Sequence, residues 1–318
     1  MKKVRGPSTA WILLGVLGGG LLGMYAPFES EILGGLQWAA LALMVFLVVV
    51  SLPLLSVGRA IAKPRVLVAL FAVNLVVVPV VAFVLSRVVF QVPELQVGLL
   101  LVLLAPGVAL SLTTAHEAGG DVESVLGAKP LLFAGQLVIV PLYTVFLSGG
   151  ALGFADLPPT FAVIAGIIVA PTVLALALQW GMTRSAALAG SRSALTQARV
   201  PVIAVAVALV LWNQVPNHLE ELEELYRVVP LFFSFLVLLA PLGLLAGILA
   251  SLTIPEKRAI MIVGAGRGGV IMLPISLALD QDVWGLVPLV VITQLTLEVI
   301  GMMVYRTIVP ELVPSDSR

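Results

Sequence analysis

Long apolar runs recur from one end of this chain to the other, and each approaches the roughly 20 helical residues needed to cross a hydrocarbon core. "LALMVFLVVV" and "LVVVPVVAFVL" are typical. In lipid every backbone N–H and C=O must be paired within the chain, so only helices or a closed barrel can span. These runs are solidly apolar, without strand-type alternation or aromatic girdles, and therefore predict an all-α membrane protein. Composition agrees: 11% of residues are charged, against about 25% in an ordinary soluble domain.

Ten spans are predicted, near 10–27, 32–57, 66–90, 97–117, 124–147, 160–182, 198–214, 227–252, 257–279 and 284–305. The basic start "MKKVRGPSTAW" is read as the entry to the first span, because no small-residue cleavage site precedes Pro27. With a cytoplasmic N-terminus, the inside segments collect Lys2, Lys3, Arg5, Arg59, Lys63, Arg65, Arg184, Arg192, Arg199, Lys257, Arg258, Arg306 and Arg318. The outside segments hold Arg87, Arg227 and the acidic "NHLEELEEL" turn. This asymmetry places both termini in the cytoplasm.

The absence of cysteine excludes disulfides and thiolate metal sites, and His116 and His218 are too far apart to suggest a metal centre. No nucleophile, base and orienter come together, so no enzyme is expected. Neither a cofactor nor a nucleic-acid partner is implied, and the oligomeric state is not legible.

Two spans differ from the rest. The fourth carries "APGVALSLTTAHEAGGD" and the ninth "VGAGRGGVIMLPISLALD", both interrupted by Gly and Pro and rich in polar groups. They stand five spans apart, as a duplicated five-helix unit would place them, and an odd unit inverts on repetition. Inverted repeats with a broken helix in each half point to a transporter whose site lies near the membrane midplane. The repeats would run over 1–148 and 159–310, joined through "SGGALGFADLPP".

Gly264, Gly266 and Gly269 match G-x-G-x-x-G, but that fingerprint requires a preceding strand and a βαβ unit, and here the flanks are membrane helix. Arg267, among Gly264, Gly266, Gly268 and Gly269, sits too deep to reach either surface. A charge at that depth costs about 2.5 to 3.5 kcal/mol and is usually paired or functional. Lys129 reads equally as a flanking anchor or a site residue, and Glu298 as an ion-pair partner of Lys129 or Arg267 or as a coupling acid. Ser111, Thr113 and Thr114 either serve a ligand or satisfy backbone carbonyls at the fourth-span break, and Asn74 offers an interhelical hydrogen bond or a site contact. His116, Glu117 and Asp121 are expected to face cytoplasmic water.

The run "LALMVFLVVVSLPLLSVGRAIAKPRVLVALFAVNLVVVPVVAFVLS", with Pro64, Asn74 and Pro79 in register, resembles the second and third spans of the bile acid:sodium symporter superfamily, which includes the arsenite efflux permeases. The family's fourth-span pattern aligns without a gap on Pro106 to Asp121, retaining Pro106, Gly107, Ser111, Gly120 and Asp121. The resemblance implies ten helices in two inverted five-helix repeats, with broken fourth and ninth helices that cross. It also implies a core domain from spans 3–5 and 8–10 that moves against a panel domain from spans 1–2 and 6–7. The departures fall on the sodium chemistry: Ile262 replaces a glutamate, Gly266 a glutamine, Arg267 an asparagine and Leu112 the fourth-span asparagine, while Lys129 stands at a hydroxyl position. Gly107 stands where the arsenite permeases carry cysteine.

The expectation is a secondary transporter of a small organic anion in the cell membrane. Tethered cations take the sodium positions, leaving uniport, exchange or proton coupling. An arsenite-type or metabolite efflux permease is the alternative within transport, and a transport-dead sensor or scaffold the alternative outside it.

Overall fold

The computed structural model describes residues 7–28, 30–52, 63–107, 109–154 and 158–314. Lys2, Lys3, Arg5, Arg59 and Arg318, counted above for orientation, lie outside the described residues. Every regular element among the described residues is helical. Among the described residues seven helices are long and apolar enough to cross a membrane, and a bent pair, Val122–Gln136 with Ile139–Leu147, would make an eighth.

The helices are α1 Pro7–Tyr25, α2 Glu31–Ser51, α3 Pro64–Val89, α4 Pro93–Leu104, α5 Ala109–Glu117, α6 Val122–Leu126, α7 Lys129–Leu147, α8 Phe161–Met182, α9 Ala186–Gln214, α10 Val229–Leu249, α11 Ile254–Ala265, α12 Gly269–Leu277, α13 Gln281–Trp284 and α14 Val287–Leu312. The expected fourth span is therefore two short helices, α4 and α5, with non-helical backbone at Ala105 to Gly107 between them. The ninth is α11 and α12, separated at Gly266 to Gly268. Pro141 lies inside α7 just beyond its 55° bend, where the missing N–H and the ring's clash with the preceding turn break the ladder. Helix α9 begins well before the expected start at 198, because "AALAGSRSALTQA" is made of adequate helix formers despite its polarity. Its acidic neighbour "NHLEELEEL" folds as two short 3₁₀ turns, Val215–His218 and Leu222–Arg227.

The chain separates into two compact units. One comprises Met1–Ser51, Phe154–Tyr226 and Val270–Thr296. Within it α1 lies on α9 at backbone distance, since a Cβ on Gly15 or Gly19 would strike the backbone of Ala204 or Ala208. This is the small-residue spacing that lets membrane helices approach closely. Amide hydrogen bonds knit the same unit: the half-buried Asn213 donates through Nδ2 to Gln37 Oε1 at 3.0 Å, and the buried Gln179 through Nε2 to the Val49 carbonyl at 2.9 Å.

The other unit comprises Leu52–Gly153, Arg227–Gly269 and Leu297–Arg318. Gly243 and Gly247 of α10 admit α11, with the Met261 Cα 2.9 Å from a Cβ on the first and the Lys257 Cγ 2.9 Å from one on the second. At one end, Lys63 bridges Asp121 at 2.7 Å and Glu256 at 2.8 Å. Glu256 closes a capping box with Thr253 at the start of α11, and the Asp121 side chain accepts the Ser124 N–H that opens α6. Arg258 adds bonds to the Ala118 and Val313 carbonyls, and Arg306 pairs with Glu117 at 3.3 Å. Of the three residues expected in water, His116 is exposed, while Glu117 and Asp121 are partly covered by these pairs.

Candidate functional site

The site forms in the second unit, where the breaks of the two interrupted spans touch. A Cβ on Gly107 would run into the Gly266 carbonyl, and one on Gly266 into the Ser111 side chain, with Glu298 Oε1 3.5 Å away. Gly107 lets backbone meet backbone, and Gly266 makes room for the Ser111 side chain. Unwinding leaves the last carbonyls of α4 and α11 without intrahelical partners, each costly to bury unpaired.

Side chains supply what the helices lack. Arg267 is 2% exposed, and its guanidinium spreads over three carbonyls and one amide. Nη1 donates to the Leu103 and Ala105 carbonyls at 3.4 and 3.3 Å, and Nη2 donates to the Gly264 carbonyl and to Asn74 Oδ1, the latter at 3.1 Å. One cation thus covers the C-terminal ends of both α4 and α11, where the helix dipoles favour positive charge. Phe235 places its ring 5.7 Å from the guanidinium carbon. Lys129 donates to the Gly107 carbonyl at 2.5 Å, and Gln136 Nε2 to the Leu104 carbonyl at 3.1 Å. Between Leu103 and Gly107, four carbonyls are therefore held by three side chains from elsewhere in the fold.

The anionic group follows the same logic. Glu298, 3% exposed, accepts the backbone N–H of Arg267 at 2.9 Å, just ahead of α12. A carboxylate there faces the positive end of that helix dipole. Arg267 and Glu298 are thus joined through the backbone N–H, while the guanidinium turns to carbonyls and the Asn74 amide. Lys129 lies within electrostatic reach of both.

Asn74 occupies a π-helical stretch, Val73–Val77, inside α3. Such widened turns frequently accompany functional sites. Its Nδ2 donates to the Leu70 carbonyl at 2.8 Å, which turns Oδ1 toward Arg267.

Asn74, Ser111, Lys129, Gly264, Gly266, Arg267 and Glu298 are brought together, and the surface-anchor reading of Lys129 is set aside because the residue is 5% exposed and bound to the break. Gly268 and Gly269 are buried at the start of α12. Thr114 spends its hydroxyl on the Leu110 carbonyl at 3.0 Å, and Thr113 is exposed. Gln136 and Phe235 join the site without having stood out in the sequence. A lone amide in "LLFAGQLVIV" is the signal that marks the first; the second is one aromatic among many apolar neighbours.

A multi-pass helical protein whose deepest charges converge on two interrupted helices has the build of a membrane carrier. The chain belongs to the Sodium Bile acid symporter family, whose profile matches residues 38–215. It is accordingly a multi-pass membrane transporter of the bile acid symporter type rather than an enzyme, with a small-molecule substrate and a lipid environment. No individual curated protein matches it.

Proposed function

We propose that this protein is a secondary transporter of a small organic anion that works without sodium. Its ten spans form two inverted repeats in the cell membrane, both termini are cytoplasmic, and a core of spans 3–5 and 8–10 moves against a panel of spans 1–2 and 6–7. Transport proceeds by alternating access. The observation that carries the reading is the occupation of the broken-helix carbonyls by Arg267 and Lys129. Sodium-coupled carriers use unwound carbonyls and half-helix C-termini to hold the cation. Here two tethered cations take those oxygens, so the crossing is held together permanently. Arg267, Lys129 and Glu298 sum to one positive charge, which favours an anion beside Ser111 and the glycines of the ninth-span break.

The test is uptake of labelled carboxylates and sulfonates into proteoliposomes with the sodium and proton gradients imposed separately. Uptake independent of sodium, and lost in Arg267→Leu, is the expected result. Sodium-driven uptake that persists after replacement of both Lys129 and Arg267 would overturn it.

A further inference from the structure

Away from the helix breaks, an apolar groove of about 370 Å³ opens along α10, α11 and α14. That volume is within the range of small-molecule sites, roughly 300 to 1,000 Å³. Its floor is Leu236 and Met261, and its α14 wall runs from Gly301 through Val304 and Ile308 to Leu312. At 1.5 Å per residue that wall is about 16 Å long, the scale of an extended acyl chain. Gly301 makes the groove deep, because a Cβ there would collide with Leu236. Tyr305 is the one lining residue with a polar side-chain atom, and its hydroxyl is spent on the Leu236 carbonyl.

The groove has a charged end. Lys257 lies one turn before Met261 on α11, and its stem rests on Gly247, one turn beyond Leu244 of the lining. Its ammonium has no hydrogen bond or ion pair among the described residues, unlike Lys63, Arg258 and Arg306 at the same end of the unit. An apolar slot of acyl-chain length that finishes at a free ammonium near the membrane surface matches one ligand chemistry.

We infer that this groove binds one anionic phospholipid, an acyl chain between α10 and α14 and the phosphate at Lys257. A second copy of the chain fits less well. The lining carries no carboxylate, and a two-fold contact would set both Lys257 ammonium groups at one depth.

The test is native mass spectrometry of the full chain released from nanodiscs containing dioleoyl phosphatidylglycerol and dioleoyl phosphatidylcholine in equal amounts. One phosphatidylglycerol retained per chain, with about fivefold preference over phosphatidylcholine, is expected, the factor one lysine contributes at an anionic surface. Lys257→Gln is expected to remove the preference without changing the unfolding temperature. Val304→Trp and Ile308→Trp, which fill the groove, are expected to cut retention of both lipids about tenfold. Equal retention of the two lipids by the unsubstituted protein, or undiminished retention in the folded tryptophan variants, would overturn the inference. If neither tryptophan variant folds, Lys257→Gln decides: loss of preference supports the site and unchanged preference refutes it. Because the chain has no cysteine, Val304→Cys reports a single position. Its efficient disulfide dimerisation in membranes would assign the groove to a second copy instead.

Discussion

Arg267 Nη2 donates to Asn74 Oδ1 across 3.1 Å, tying the ninth-span break to the π-helical turn of α3. Asn74 is oriented for this by its own bond to Leu70. Replacing it with leucine removes a buried acceptor from a guanidinium that is itself buried. We expect Asn74→Leu to cost about 1 to 3 kcal/mol, read as a lower unfolding temperature in detergent, and to reduce anion uptake at least tenfold. Unchanged stability and uptake would show that the bond is incidental.

Arg267→Leu removes the shared cap of α4 and α11 and strands the Leu103, Ala105 and Gly264 carbonyls. Loss of one partner from a buried charged network costs about 3 to 5 kcal/mol. Arg267→Lys keeps the charge but offers a point donor where a fork spans four acceptors. It should recover less than half of that loss in the same unfolding assay.

The crossing tolerates no side chain at Gly107 or Gly266. Alanine at Gly107 has to push against the Gly266 carbonyl and alanine at Gly266 against the Ser111 side chain, and overpacking of this kind costs about 1 to 3 kcal/mol or more. Alanine at Gly135, where a Cβ meets nothing within 4 Å, is the matched control and should leave thermal unfolding and uptake unaltered.

Gln136→Leu tests a capping contact rather than a charge. It leaves the Leu104 carbonyl buried and unpaired, at a cost of about 1 to 3 kcal/mol. If thermal unfolding of the variant matches that of the parent protein, the amide is not needed to hold the break.

The Lys63 and Asp121 pair predicts a pH dependence. Burial alone would raise the Asp121 pKa, but hydrogen bonds from Lys63 and Ser124 outweigh it and hold the carboxyl below its ordinary value. The hydrogen bond to Asp121, joined by that to Glu256, raises the Lys63 pKa. A depressed acid contributes stability that is present above its unfolded pKa, about 4, and lost as pH falls through the folded value. The raised lysine contributes below its unfolded pKa, about 10, and ceases to contribute only as pH rises through its folded value. Unfolding temperature should therefore be flat through neutrality and fall below about pH 4. Asp121→Asn keeps an acceptor for the Ser124 N–H but removes the carboxylate that Lys63 pairs with, so it should lower the plateau by the equivalent of about 1 kcal/mol or less, the usual range of a partly exposed ion pair, and flatten the acid limb.

Much of this architecture is legible in the amino-acid sequence, for a physical reason: lipid forces the backbone into helices, so hydropathy alone announces where they run. The interruptions are legible too, because Gly107, Gly266 and their prolines and polar neighbours stand out against apolar sequence. The depth of Arg267 follows from the number of apolar residues on either side. What the linear pattern does not decide is which group neutralises which. Hydropathy leaves Lys129 balanced between surface anchor and buried donor, and leaves Glu298 with two cations to choose from. Those choices depend on which carbonyls unwinding sets free, and where their lone pairs point once α4, α7, α11 and α14 have packed. Leu103, Leu104, Ala105 and Gly107 are three apolar residues and a glycine in the sequence; only the tertiary structure makes their backbone oxygens the ligands that Arg267, Gln136 and Lys129 must satisfy.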